Sequence, residues 1–165
     1  MAKFLVIAEK PSVAQSLAKN LSAYQRKDGY LEGNSCIVSW CLGHLAEYVP
    51  PEIYDEKYAK WQFEDLPIIP EVWKVQVSED KKKQFDVICS LMNRADVAYL
   101  VNGCDAGREG ELIFKRVYDL AGCQKPVKRL WISSMEDEAI QKGFQSLTDG
   151  REYAGLCNAA VCRAQ

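Results

Sequence analysis

The sequence has one histidine in 165 residues, and none of its seven cysteines forms a C-x-x-C pair. Catalytic arrangements of the Ser-His-Asp or Cys-His type are hard to build, because His44 would have to serve in them alone. The cysteine spacing also argues against a zinc site. Neither a G-x-G-x-x-G fingerprint nor a G-x-x-x-x-G-K-[ST] loop is present, so phosphate-binding turns of those two kinds are absent.

Long apolar runs are also missing. None approaches the roughly 20 residues that a membrane helix needs. Met1-Ala2-Lys3-Phe4 leads straight into a strand pattern and does not resemble a signal peptide. The odd number of cysteines, most of them within apolar patterns, indicates reduced and mostly buried thiols in a cytoplasmic protein. The formal net charge is -2, so any contact with nucleic acid must be a local feature of the surface.

Short apolar stretches alternate with helical periodicity along the chain. The predicted strands are buried apolar runs over residues 3–8, 97–101 and 127–132. The predicted helices begin at Pro11, cover residues 79–94 and 108–121, and follow a capping-box pattern at residues 133–137. Residues 30–40 have the pattern of a hairpin, and the helix over 108–121 should bury Ile113, Val117 and Leu120. This alternation predicts an α/β fold with a mostly parallel sheet flanked by helices.

The middle and the end of the chain are expected to lie outside this core. Residues 45–70 are rich in aromatics and prolines and predict a long irregular insertion, with an edge strand near residues 73–77. We therefore expect a domain over residues 1–150 with an insertion at about 29–78. Residues 151–165 favour a helix without a C-cap signal, and they predict the start of a helix that belongs to a further domain.

Three carboxylates gather where the second long strand meets a helix, in the stretch Asp105-Ala106-Gly107-Arg108-Glu109-Gly110-Glu111. Such a junction is where ligands bind in an open parallel sheet. Asp105 and Glu109 are four residues apart, so both side chains can point at one small volume. Glu9 ends the first strand and projects over the same edge if the two strands are parallel neighbours. Hard oxygen ligands suit Mg²⁺, and we expect Glu9, Asp105 and Glu109 to bind it.

The same residues also have a plain structural interpretation. The spacing alone does not decide between a Mg²⁺ site and residues that stabilise the helix N-terminus. Asp105 could cap the helix, and Glu109 and Glu111 could be favourable charges near its N-terminus. Lys10 could contact a phosphate or could simply be solvated. Arg108 could bind phosphate at the helix N-terminus or could form a surface ion pair.

Five sequence motifs carry a family resemblance. They are Ile7-Ala8-Glu9-Lys10-Pro11-Ser12-Val13-Ala14, Trp40-Cys41-Leu42-Gly43-His44-Leu45, the acidic stretch Asp105–Glu111, Arg129-Leu130-Trp131-Ile132-Ser133-Ser134 and Ala159-Ala160-Val161-Cys162-Arg163-Ala164-Gln165. In this order and spacing they resemble the motifs of type IA DNA topoisomerases, particularly topoisomerase III. The Toprim fold of that family carries an acidic motif, D-x-D-x-E-G-E. The resemblance covers essentially the whole chain.

The resemblance implies that the chain is the N-terminal Toprim portion of a longer enzyme. Type IA enzymes cleave one DNA strand through a tyrosine, pass another strand through the gap and reseal it without ATP. Glu9 matches the glutamate at the scissile phosphate, and Lys10 matches the lysine that stabilises the transition state. Asp105 and Glu109 match acids that bind the cofactor Mg²⁺. Residues implied as phosphate or DNA contacts, or as their support, are Arg108, Glu111, His44 and Arg163.

Two departures from the family pattern refine these expectations. Gly107 stands where the motif usually has its second aspartate, which predicts weak Mg²⁺ binding. No tyrosine has the context of the family nucleophile, since Tyr24-Gln25-Arg26 has the Tyr-x-Arg spacing but lies far too early. The nucleophile is therefore expected outside this chain, and the chain alone should be inactive.

The resemblance also implies partners and a location. Single-stranded segments of DNA and the remaining domains of the same polypeptide are the expected partners, without a membrane. A helicase is a further partner that the family allows, and the expected location is cytoplasmic and nucleoid-associated. Two other hypotheses stay open, namely another Toprim enzyme such as a primase or nuclease, and a non-catalytic α/β interaction module.

Overall fold

The computed structural model of the chain describes residues 2–165. These residues form the strands β1 (Lys3–Ala8), β2 (Gln25–Lys27), β3 (Tyr30–Glu32), β4 (Cys36–Trp40), β5 (Ala46–Tyr48), β6 (Val75–Val77), β7 (Val97–Gly103), β8 (Val127–Arg129) and β9 (Thr148–Asp149). They also form the helices α1 (Pro11–Asn20), α2 (Lys82–Met92), α3 (Arg108–Leu120), α4 (Asp137–Gln145) and α5 (Ala154–Ala164).

Seven of these strands form one mixed sheet in the order β2-β3-β4-β1-β7-β8-β9. The inner strands β4, β1, β7 and β8 are parallel, whereas the outer strands pair antiparallel with their neighbours. The predicted α/β fold with a mostly parallel sheet flanked by helices is confirmed. Because β1 and β7 are parallel neighbours, the end of β1 and the acidic stretch after β7 meet at the same edge.

Apolar side chains on both faces of the sheet hold the inner strands in place. Leu5 and Ile7 of β1 pack in a core shared with α2 and α3, whereas Val6 and Ala8 pack in a second core with α1 and α4. All four side chains are fully buried. Full burial of a large aliphatic side chain contributes about 1.5–3 kcal/mol, so β1 is a firmly anchored support for the residue that follows it.

The strand register brings three loops to one level. Ala8 of β1 pairs with Trp40 of β4 on one side and with Gly103 of β7 on the other. The residues that follow these three are Glu9, Cys41 and Cys104, and they therefore leave the sheet together at its carboxyl edge.

Two details of the helices differ from the sequence prediction. Leu120 is 42% exposed because it lies at the end of α3, whereas the two other predicted inward residues are buried. The capping box at residues 133–137 is wrong, because α4 begins at Asp137 and its N-cap Glu136 makes no side-chain capping bond. Instead, the Ser134 hydroxyl accepts a hydrogen bond from the Glu136 amide at 3.2 Å, so the hydroxyl acts in the turn before the helix.

The region expected as an insertion, residues 29–78, has two parts in the structure. The first contains β4, which lies inside the main sheet beside β1. The second contains β5 and β6, which pair antiparallel in a separate two-stranded sheet. Irregular chain and short 3-10 turns lie between β5 and β6, and this stretch exposes the large apolar side chains of Ile53, Trp61, Phe63, Leu66, Ile69 and Val72.

The remaining sequence predictions concern the thiols and the terminal helix. Five of the seven cysteines are buried, as their apolar surroundings predicted. The predicted terminal helix is α5, and its Cys157 and Ala160 are buried. Within residues 2–165, no helix combines the length and the apolar character needed to cross a membrane.

Gly110 allows the start of α3 to approach the chain that leaves β7. A Cβ atom at this position would fall on the Asp105 carbonyl oxygen and lie 3.0 Å from the carbonyl carbon. Overpacking of this kind typically costs about 1–3 kcal/mol. We therefore expect Gly110→Ala to lower the free energy of unfolding by that amount, measured by urea denaturation followed by circular dichroism.

Gly155 in α5 provides the matched control, because a Cβ atom there meets nothing within 4 Å. Gly155→Ala should raise the free energy of unfolding by up to about 1 kcal/mol, since alanine favours helix. Equal effects of the two substitutions would contradict the close approach at Gly110.

Candidate active site

Two carboxylate residues from neighbouring strands meet at the carboxyl edge of the sheet. Glu9 directly follows β1, and Asp105 lies two residues beyond the end of β7. The Asp105 amide donates a hydrogen bond to Glu9 Oε2 at 3.3 Å. Lys10 is exposed beside Glu9, at the N-cap position of α1, where Pro11 begins the helix. The structure thus brings the Glu9 carboxylate to the main chain of Asp105, with a lysine next to Glu9. The sequence had placed these two acids on different strands.

Glu109 and His44 form a second pair near this edge. Glu109 lies in the first turn of α3, and its Oε2 is 3.1 Å from His44 Nε2. The loop that carries His44 is tied to the end of β1, because the Cys41 amide donates to the Ala8 carbonyl at 2.8 Å. The sequence could not pair His44 with Glu109, since the two residues are 65 positions apart.

The carboxylates at this edge can serve as metal ligands only together with ligands from outside the chain. Among residues 2–165, no three His, Cys, Asp or Glu side chains lie close enough together to hold a metal ion by themselves. Glu9 and Asp105 offer hard oxygen atoms, which suit Mg²⁺, and this ion commonly binds one or two carboxylates and completes its shell with water and phosphate oxygens. The donor set therefore fits a hydrated Mg²⁺ better than a fully protein-bound ion.

The buried Cys104 thiol, next to Asp105, is a poor metal ligand. A hydrogen bond with Cys41, together with burial, raises the pKa of the Cys104 thiol well above its ordinary value. Cys104 is therefore a neutral thiol at physiological pH, and thiols bind metal as thiolates. Its Sγ lies 3.8 Å from the Ile7 carbonyl oxygen, which is a contact of the core.

Gly107 leaves open space at the position where the family motif usually has an aspartate. Its backbone is extended, with φ of 169°, and a Cβ atom there would meet nothing within 4 Å. A larger residue can therefore be accommodated without moving the acids. Gly107 is also the N-cap of α3, which has no side-chain capping bond, so the alternative that Asp105 caps this helix is wrong.

A buried ion pair lies directly beneath the Asp105 loop. Arg129 and Glu111 are 1% and 7% exposed, and Arg129 Nε donates to Glu111 Oε1 at 2.5 Å. The Asn102 side-chain amide donates to Glu111 Oε2 at 3.3 Å. Burial raises the pKa of the Glu111 carboxyl, while the Arg129 charge and these hydrogen bonds favour the carboxylate. The pair is strongly hydrogen-bonded, as a buried charge requires.

The other nitrogens of Arg129 hold the backbone at the ends of two strands. Nη1 donates to the carbonyls of Asn102, Cys104 and Leu130 at 3.0, 2.6 and 3.0 Å, and Nη2 donates to that of Asp105 at 2.8 Å. One guanidinium thus fixes the course of the chain from β7 to Asp105. Sequence reasoning missed this role of Arg129; the only signal was its place in the Arg129–Ser134 motif.

The remaining predicted site residues are at the surface. Arg108 is exposed at the first position of α3, next to the acidic loop, and Arg163 is exposed near the end of α5. Glu111 was predicted to contact phosphate or DNA, or to support residues that do. Its place in the buried ion pair, away from the surface, corresponds to the second role.

Comparison with known proteins places these features in a family context. The family model described as "Toprim domain" matches residues 4–135. Proteins named DNA topoisomerase 3 from Bacillus subtilis (strain 168), Bacillus anthracis and Shouchella clausii (strain KSM-K16) are 48%, 48% and 46% identical to this chain over 165 residues. Each match covers 100% of this chain but only 23% of the relative.

A solved structure gives an independent comparison of the fold. Full-length topoisomerase I from Thermotoga maritima, in a monoclinic crystal form, matches with a TM-score of 0.57 and 16% sequence identity. The match covers 88% of this chain and 21% of that chain. At this level of identity the likeness concerns the fold alone.

The Arg129 ion pair generates a stability prediction. Arg129→Ala would leave Glu111 buried without its counter-ion, and loss of one partner of a buried pair typically costs about 3–5 kcal/mol. We expect the free energy of unfolding in urea to fall by that amount. The control is Arg151→Ala, which removes an exposed ion pair with Asp149 and should leave the stability nearly unchanged. Similar small losses for both variants would show that Arg129 does not hold the loop.

Proposed function

We propose that this chain, which belongs to the Toprim domain family, is the metal- and phosphate-binding part of a type IA DNA topoisomerase of the topoisomerase 3 kind. The observation that carries the proposal is the contact between Glu9 and Asp105 at the carboxyl edge of the sheet. The similarity of the whole chain to proteins named DNA topoisomerase 3 supports it, and favours a topoisomerase over a primase or nuclease.

In this proposal the chain acts on a phosphodiester of single-stranded DNA. A tyrosine outside these 165 residues attacks the phosphorus and gives up its hydroxyl proton to water. The bond to the 3′ oxygen breaks, and that oxygen takes up a proton. Glu9 lies at the scissile phosphate and relays this proton to the leaving 3′ oxygen, as a positioned carboxyl group can. The Lys10 ammonium lies beside it and stabilises the negative charge that develops on the phosphoryl oxygens.

Mg²⁺ is the cofactor that the exposed acids fit. When bound, the ion neutralises phosphate charge and helps to orient the DNA. Glu9 and Asp105 are its proposed ligands. Glu109 becomes a third ligand only if its carboxylate leaves His44, with which it is in contact at 3.1 Å. Arg108, at the start of α3, is a proposed phosphate contact, and Arg163 a proposed DNA contact.

The organisation of the whole protein is part of the proposal. Residues 1–150 would be the Toprim domain, and residues 151–165 the beginning of a helix that continues into the next domain. The other domains would supply the tyrosine and most of the DNA-binding groove, while a helicase would be an external partner. The protein would act on the chromosome in the cytoplasm.

Weak Mg²⁺ binding by this chain is the first functional prediction. Isothermal titration should detect only weak binding, because the half-buried Glu9 and the exposed Asp105 supply two carboxylates and there is no second aspartate. Gly107→Asp adds a carboxylate in open space. It should tighten binding by about tenfold, which is about 1.4 kcal/mol.

Two control variants identify the source of that gain. Gly155→Asp adds the same charge in open space on α5 and should leave Mg²⁺ binding unchanged. Asp105→Asn should abolish the weak Mg²⁺ binding that the unmodified chain shows. A gain from Gly155→Asp equal to that from Gly107→Asp would mean that net charge, and not this site, controls the affinity.

The second functional prediction tests whether this chain needs the other domains of the protein for activity. The chain alone should neither relax supercoiled DNA nor form a covalent DNA adduct. When the chain replaces the matching 165 residues of the Bacillus subtilis relative, the chimera should relax supercoiled DNA in the presence of Mg²⁺.

Substitutions in the chimera then test the assigned roles. Glu9→Gln should lower the relaxation rate by about 10²–10⁴-fold, the usual contribution of a positioned acid or base. Glu138→Gln removes an exposed carboxylate on α4 that pairs with Lys142, and it should leave the rate unchanged. Relaxation by the isolated chain, or full activity of the Glu9→Gln chimera, would refute the proposal.

A further inference from the structure

Trp131 is an exposed aromatic residue at the same edge of the sheet as the acids. It lies two residues beyond the end of β8, where Arg129 pairs in parallel with Asn102 of β7. If the register continues, Trp131 lies level with Cys104, one residue before Asp105. Its exposed fraction is 44%, which is unusual for a tryptophan beside a firmly packed core.

The ring of Trp131 is held by two contacts. It stacks on Tyr153, with ring centroids 4.9 Å apart and an angle of 22° between the planes. The Arg129 guanidinium carbon lies 5.1 Å from the ring centroid. The same guanidinium donates to the Asp105 carbonyl at 2.8 Å. One buried cation therefore fixes both the aromatic ring and the acidic loop.

We propose that Trp131 is the stacking platform for one base of the single strand whose phosphate lies at Glu9 and Asp105. The proposal rests on the proposed function, and it adds a residue that positions the DNA next to the reacting phosphate. Every base has a π-face, so stacking on an aromatic ring holds a single strand without selecting its sequence. The ring is already fixed before binding, so little side-chain freedom is lost when a base stacks on it.

The charge of the chain is a further argument for stacking. A formal net charge of -2 gives the surface little general attraction for phosphates. The two acids that fit Mg²⁺, Glu9 and Asp105, also repel a DNA backbone until the ion is bound. Base stacking is insensitive to these charges, and it can hold the strand at a locally acidic site.

A purely structural role of Trp131 predicts a different outcome. In that case Trp131 only fastens Tyr153 and the start of α5, and its substitution changes stability without affecting DNA affinity. Trp61 is the matched control, because it is also exposed, at 76%, but lies in the irregular stretch between β5 and β6.

The experiment measures binding of a fluorescein-labelled oligothymidylate to the 165-residue chain by fluorescence anisotropy, in Mg²⁺ at several salt concentrations. Trp131→Leu should weaken binding by about fivefold to a hundredfold, the range for loss of one stacked base. Trp131→Phe should stay within about threefold of the unmodified chain, because it keeps an aromatic face. Trp61→Leu should have no effect. The slope of affinity against salt should be the same for all variants, since none removes a phosphate contact.

Tryptophan emission gives a second, independent readout. Unlabelled oligothymidylate should quench part of the emission of the unmodified chain, and Trp131→Phe should remove that quenching although it still binds DNA. Trp61→Phe should retain it. This readout decides the matter if Trp131→Leu proves to be unfolded by circular dichroism.

The outcomes separate this inference from the proposed function. Equal DNA affinity of Trp131→Leu and the unmodified chain, or quenching that survives Trp131→Phe, would overturn the stacking platform. Absence of any DNA binding by the unmodified chain would overturn it too. Relaxation by the chimera tests the proposed function separately. If the chimera is active but the Trp131 variants bind DNA as tightly as the unmodified chain, only the stacking platform is rejected.

Discussion

The buried ion pair between Arg129 and Glu111 is the constraint on which the candidate site depends. Two charges removed from water destabilise a protein unless they are paired and fully hydrogen-bonded. Here the requirement is met by backbone carbonyls, because the guanidinium also binds those of Asn102, Cys104, Leu130 and Asp105. Satisfying one buried arginine thus fixes the path of the chain from the end of β7 to the exposed carboxylate of Asp105.

Sheet topology then supplies the second acid. β1 lies between β4 and β7, so Glu9 emerges between the loop that carries His44 and the loop that carries Asp105. Beneath these loops the buried charges of Arg129 and Glu111 compensate each other. Glu9, Asp105, Lys10 and Arg108 lie nearer the solvent, at the edge of the sheet. This separation gives a site that can receive a phosphate and a hydrated ion from outside. It fits a family whose relatives are more than four times longer than this chain, with this chain covering 23% of each.

The sequence predicted the parts of this structure that depend on local pattern. The continuous apolar runs of β1 and β7 predicted two buried strands, and the sequence placed Glu9 near Asp105 on the condition that these strands are parallel neighbours. The structure meets that condition. The Arg129–Glu111 pair was not predictable, because an arginine at the end of a short strand usually reaches solvent. Only the structure shows that its side chain is enclosed, by Glu111 of α3 and by the backbone carbonyls at the ends of β7 and β8. The pairing of Glu109 with His44 was also invisible, since it depends on how a loop 65 residues away folds back.

The most direct test of the account is to locate a bound divalent ion. Mn²⁺ accepts the same oxygen ligands as Mg²⁺ and gives an anomalous X-ray signal. In crystals of the 165-residue chain soaked in Mn²⁺, we expect an anomalous peak between the carboxylates of Glu9 and Asp105. A peak at Glu109 and His44 without one at Glu9, or no peak at this edge at saturating Mn²⁺, would contradict it.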